Sequence, residues 1–103
     1  MASGILGQAA LAATTNTTVY TVPAAKTATF NITVTNRDAS AATVQLALTA
    51  SGTPSTSEYI EYNTVIPGFG VLEKTGVVAQ AAKNVVAYGS SANLTVNIYG
   101  FEE

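Results

Sequence analysis

Between Lys26 and Ala50 the chain alternates with a period of two. Ala28, Phe30, Ile32 and Val34 are interleaved with Thr27, Thr29, Asn31, Thr33 and Thr35, and beyond a polar break Val44, Leu46 and Leu48 are interleaved with Thr43, Gln45, Ala47 and Thr49. Successive side chains of a strand point to opposite sides, so this pattern predicts two strands that each bury one face. The break, residues 36–42, carries Asn36, Asp38 and Ser40, whose side chains hydrogen-bond nearby backbone and favour a reversal. A β-hairpin at the centre of an all-β domain is the direct expectation. The same signature returns where Leu94, Val96 and Ile98 alternate with Asn93, Thr95, Asn97 and Tyr99.

The rest of the chain extends this pattern. Thr17–Val22 is β-favouring, with Val19 or Tyr20 facing inward, and Pro23 closes it because proline cannot donate to a ladder. Ser51–Ser57 has loop composition. Glu58–Asn63 predicts a strand with Tyr59 and Glu61 on one face and Ile60 and Tyr62 on the other, so that the two tyrosines diverge. Val65 and Ile66 lead into Pro67-Gly68-Phe69-Gly70, a turn whose Phe69 is expected to plug the core, with an exposed contact as the alternative. Val71–Val78 predicts one or two short strands interrupted at Gly76, Asn84–Tyr88 another, and residues 100–103 a tail.

These segments add up to about seven or eight antiparallel strands, the pattern of a single-domain β-sandwich or jelly roll. Residues 1–16 are rich in small side chains and lack alternation, which predicts an N-terminal arm or a short helical turn before a sandwich domain spanning 17–103. Ile5, Leu6 and Leu11 would order that arm in an apolar groove, either on a neighbouring subunit or at the base of its own sandwich, and its removal is expected to leave the domain folded.

Composition narrows the chemistry. The chain has no cysteine and no histidine, which removes disulfides, thiolate and imidazole catalysis and the usual zinc ligands. Glu58 and Glu61 are expected on opposite strand faces, Asp38 sits beside Arg37 in the hairpin turn, and no serine or threonine has an imidazole to activate it. No enzyme, cofactor or metal site is therefore expected. With 4 basic residues and a net charge of −2 no basic patch forms, so nucleic acid is not an expected partner. No run approaches the roughly 20 apolar residues of a membrane helix, and the N-terminal segment lacks the basic start of an export signal. The expectation is a soluble protein with no membrane partner. Charged residues make up 10% of the chain, and Thr, Ala, Ser and Asn take their place. Such a surface is desolvated and immobilised at low cost, which suits burial against neighbours; the alternative reading is that edge and outward strand positions favour Thr in any case.

Several phrases carry a family resemblance. Asn16-Thr17-Thr18-Val19-Tyr20-Thr21-Val22-Pro23-Ala24, the strand Phe30–Arg37 ending in Thr-Asn-Arg, Glu58-Tyr59-Ile60-Glu61-Tyr62, Ile66-Pro67 followed by Gly70-Val71-Leu72-Glu73-Lys74-Thr75-Gly76, and the closing Tyr99-Gly100-Phe101-Glu102-Glu103 resemble small virion structural proteins of tailed bacteriophages, especially marine and cyanobacterial phages. The resemblance spans nearly the whole chain from Asn16, and its motifs are structural. It implies a virion component made in the host cytoplasm: a capsid decoration (cement) protein on the outer shell, partnered by the major capsid protein and by copies of itself in a homotrimer. A tail or fibre module, with receptor or glycan binding, is the alternative it leaves open. The expected assembly contacts are Ile5, Leu6, Leu11, Phe69 and Phe101, and the aromatic residues that would matter to a receptor-binding tip are Tyr59, Tyr62, Phe69 and Tyr88.

Overall fold

A computed structural model describes Ser3 to Glu103 and is all-β. Eight strands, β1 (Ser3–Ala10), β2 (Thr17–Thr21), β3 (Ala28–Asn36), β4 (Ala42–Thr49), β5 (Tyr59–Ile66), β6 (Val71–Ala79), β7 (Asn84–Gly89) and β8 (Leu94–Glu102), form two four-stranded sheets. One sheet has the order β1-β8-β3-β6 and the other β2-β7-β4-β5, with every pairing between strands antiparallel. Two sheets wound in this alternating way are a jelly roll. The core lies between them, where Phe30, Ile32 and Val34 of β3 and Leu94, Val96 and Ile98 of β8 meet Val44 and Leu46 of β4 and Val85 and Ala87 of β7.

The central hairpin is not formed. β3 buries the alternate face expected of it and β4 does so as far as Leu46, beyond which Ala47 and Thr49 are buried and Leu48 is half-buried; the two strands belong to different sheets, β3 bonding to β8 and β6 and β4 to β7 and β5. Alternation states which face of a strand is dry; it does not state which strand supplies its hydrogen bonds. Residues 37–41 therefore carry the chain from one sheet to the other. The consecutive strands that do pair are β4 and β5.

The N-terminal segment also departs from expectation. Ser3–Ala10 is neither a free arm nor a helical turn but the edge strand β1, paired along its length with β8. Its register shifts between Ile5 and Gly7, and that irregularity hides the period of two. Leu11, only 2% exposed, sits in the chain's own core, and Leu6 packs against it. Met1 and Ala2, the start of the expected arm, lie outside the described residues.

The C-terminal tail is likewise structural. Residues 100–102 continue β8, and Glu103 exchanges two backbone hydrogen bonds with Thr27. Gly100 faces Phe30 across the pairing, where a Cβ would come within 2.1 Å of the Thr29 carbonyl oxygen. Glu102 turns inward and accepts a 2.5 Å hydrogen bond from the buried Tyr20 hydroxyl, beside an edge-on contact of Tyr20 with Phe30. Burial, then the adjacent carboxylate, push the Tyr20 phenol well above the ordinary tyrosine range.

Candidate functional site

Functional groups concentrate along the rim where β5 and β6, edge strands of opposite sheets, are joined by residues 67–70. Lys74 of β6 and Glu61 of β5 close this rim with a 2.6 Å ion pair between the sheets, and the Thr64 hydroxyl donates to the other Glu61 oxygen. The Lys74 ammonium first, then Thr64, hold the Glu61 carboxyl below the usual carboxylate range. The pair ties β5 to β6 across the two sheets.

At one end of the rim the 67–70 turn is locked in place. The Asn36 amide, 1% exposed, donates to the carbonyls of Ser40, Ile66 and Pro67 at 2.9, 3.2 and 3.2 Å, tying the β3–β4 connection to the turn. Its oxygen accepts the Asp38 N–H, and the Asp38 carbonyl accepts the Phe69 N–H. Gly68 passes so close to Ala39 that a Cβ there would meet the Ala39 carbonyl oxygen at 1.9 Å. On this clasp Phe69 is held in the left-handed region, φ 56°, and its side chain is 71% exposed. The expectation of a core plug is overturned: Ile66 fills the core position at this turn, and Phe69 points to solvent. A left-handed backbone is unfavourable for a residue with a Cβ by about 1–2 kcal/mol, so Phe69 is both strained and displayed.

The five expected assembly residues separate into three groups. Leu11 is buried in the core and the half-buried Leu6 packs against it. Ile5 and Phe101 come together on the outer face of the β1-β8-β3-β6 sheet: Ile5 is opposite Tyr99, and Phe101, two residues on in β8, is flanked by Ser3 and Thr29. Val78, opposite Thr29, completes this exposed apolar row. Phe69 lies at the other end of the sandwich, since the adjoining Arg37 bonds the carbonyl of Asn93, just before β8 begins, whereas Phe101 is near its end.

A second feature was not legible as a site. Tyr59 and Tyr62 do not diverge; their rings meet edge to face with centroids 4.9 Å apart. The register of β5 on β4 shifts twice, between the pairs Val44–Thr64, Leu46–Glu61 and Ala47–Tyr59, and Asn63 sits at φ 52°. The shift between the pairs Leu46–Glu61 and Ala47–Tyr59 puts one extra residue between the tyrosines and reverses the alternation there, so residues three apart share a side. With Pro54 and Thr56 of the β4–β5 loop, the tyrosines line an open depression of about 360 Å³. Thr56 begins a 3-10 turn, Thr56–Glu58, whose start is fixed by a 2.8 Å bond from the Ser55 N–H to Glu58. That bond, with smaller help from the Thr49 hydroxyl and the Ala50 N–H, lowers the Glu58 pKa.

Tyr88, the remaining aromatic named for a receptor-binding tip, pairs with Gln45 on β4 and does not line the depression. Among the described residues no three His, Cys, Asp or Glu side chains come together as a metal site, and no helix is long and apolar enough to cross a membrane. No protein family matches the chain, and neither a curated protein nor a solved structure matches it.

Proposed function

We propose that this chain is a structural protein of a virion, a capsid decoration (cement) protein that sits on the outer shell and binds the major capsid protein. The carrying observation is Phe69, a large apolar side chain held out at 71% exposure on a turn locked by the Asn36 clasp. A preorganised aromatic anchor loses little freedom on docking, so more of its burial appears as affinity. Flanking its turn, Val65 and Val71 are also exposed along the β5–β6 rim. The second apolar row, Ile5, Phe101 and Val78, lies on a different face, which suits contact with a further copy of the chain in a homotrimer. The jelly roll is used in viral capsid domains, and the resemblance of the sequence to phage virion proteins points the same way; fold alone does not establish a role.

The test is co-sedimentation of the purified protein with capsids assembled without it. Wild type pellets with the shells, and Phe69→Ala binds at least tenfold more weakly while unfolding at the same denaturant concentration to within about 0.5 M. Absence of wild-type binding would overturn the decoration role, and unchanged binding of the variant would remove Phe69 as its anchor. The tyrosine-lined depression favours a second reading, a tail or fibre module, which differs in copy number per particle.

A further inference from the structure

We propose that the depression between Tyr59, Tyr62, Pro54 and Thr56 is a binding site for a neutral saccharide. Three properties of the site define that ligand. The first is shape. Two rings meeting edge to face form a corner with one ring face open, and Tyr62 is 62% exposed. A pyranose has a flat face of C–H groups that lies on such a ring, while its equatorial hydroxyls reach outward to the walls. The volume, about 360 Å³, is at the small end of ligand sites and accommodates one or two sugar units.

The second property is charge. Among the described residues no ionised side chain lines the corner. The two carboxylates nearest in sequence are committed elsewhere, Glu58 to the N–H groups of Ser55 and Ala50 and Glu61 to Lys74 and Thr64. A sulfated or sialylated glycan would find no cation here and a cationic ligand no free anion, whereas a neutral polyhydroxylated one matches.

The third property is free hydrogen-bonding capacity. The hydroxyls of Tyr59, Tyr62 and Thr56 make no side-chain hydrogen bond among the described residues, although each can donate and accept. A ligand rich in hydroxyls can exchange with the water that solvates these groups. Tyrosine also provides contact area with little rotamer entropy to lose, which is why it serves adaptable recognition surfaces. A proline-rich peptide would instead require ridges of stacked rings with a furrow between them, and the perpendicular pair gives none. Both tyrosine side chains lie outside the core, whereas Ile60 between them packs against it, so the irregular strand turns the two rings outward together.

The experiment is a printed array of neutral oligosaccharides alongside sialylated and sulfated glycans and a proline-rich peptide, probed with the full chain. The strongest neutral glycan is then titrated into labelled protein by NMR. Retention on neutral glycans is expected, with shifts confined to residues 54–62, a loss of at least tenfold in Tyr62→Ala and no change in Tyr99→Ala, which lies on the opposite sheet. Tyr62→Phe separates ring stacking from the hydroxyl and is expected to retain most of the affinity. No retention on any neutral glycan, retention confined to anionic glycans or to the peptide, or neutral binding indifferent to Tyr62→Ala would each overturn the assignment. These results are independent of shell attachment, which is read by Phe69→Ala and by copy number.

Discussion

Replacing Asn36 with alanine should be the most damaging polar substitution in the molecule. The Asn36 amide serves three carbonyls and its oxygen one N–H, from a position 1% exposed. Two N–H hydrogens shared among three acceptors amount to two or three bonds, each worth about 0.5–1.5 kcal/mol net. The Ile66 carbonyl is buried, and leaving it unpaired adds about 1–3 kcal/mol. The expected loss is about 3–4 kcal/mol, a large part of the roughly 5–15 kcal/mol that holds a domain folded. With a urea slope of about 1–3 kcal/mol/M, the midpoint should fall by about 2 M. Asn36→Asp keeps the shape but replaces the donors with an acceptor facing three carbonyls, so its folded pKa is raised. Its stability relative to wild type should therefore fall as pH rises above the unfolded aspartate value of about 3.9, leaving the variant weaker at pH 7 than at pH 3.5. Urea titrations of both variants and wild type at the two pH values are the assay. A loss below about 1 kcal/mol for Asn36→Ala, or a pH-independent penalty for Asn36→Asp, would refute the clasp.

Three further outcomes follow from the same geometry. Tyr20→Phe strands the Glu102 carboxylate inside the sandwich and should cost about 1.5–3 kcal/mol by urea unfolding at pH 7; a loss under about 0.5 kcal/mol would mean that Glu102 finds another partner. The Glu61–Lys74 pair is partly exposed and should contribute less than about 1 kcal/mol. Because the Glu61 pKa is lowered on folding, that contribution is present above pH 4.5 and disappears as pH falls through the folded value, so Glu61→Gln should flatten the acid limb of the stability profile measured by thermal unfolding. Deleting residues 1–15 removes an edge strand and the core residue Leu11, so the truncated chain should lose at least about 3 kcal/mol and expose the β8 edge; a truncated chain that remains monomeric with an unchanged melting temperature would show that β1 is dispensable.

The sequence made burial legible wherever alternation was unbroken. Phe30, Ile32 and Val34, Val44 and Leu46, and Leu94, Val96 and Ile98 are all core residues, as their period of two implies. Partnership was not legible, because the hydrogen bonds of β3 come from β8 and β6, strands far away in sequence whose backbones look alike to any neighbour. Bulges hid the rest. A register shift at Ile5–Gly7 disguised β1 as an arm, and the shift in β5 between Tyr59 and Glu61 concealed the Tyr59–Tyr62 corner. Glycine and proline marked the Phe69 turn, but its outward orientation depends on Asn36 and Ala39 reaching it from another connection. Glu102 looked like a solvated tail residue because its partner, Tyr20, is 82 positions away.

The most direct test of the decoration role is the number of copies of this protein in purified virions, counted against the major capsid protein by quantitative mass spectrometry. A shell-covering protein anchored by Phe69 should be present at the capsid protein's own abundance or a simple fraction of it. A handful of copies per particle would contradict the decoration role and place the protein in the tail or its fibres; complete absence would remove it from the virion.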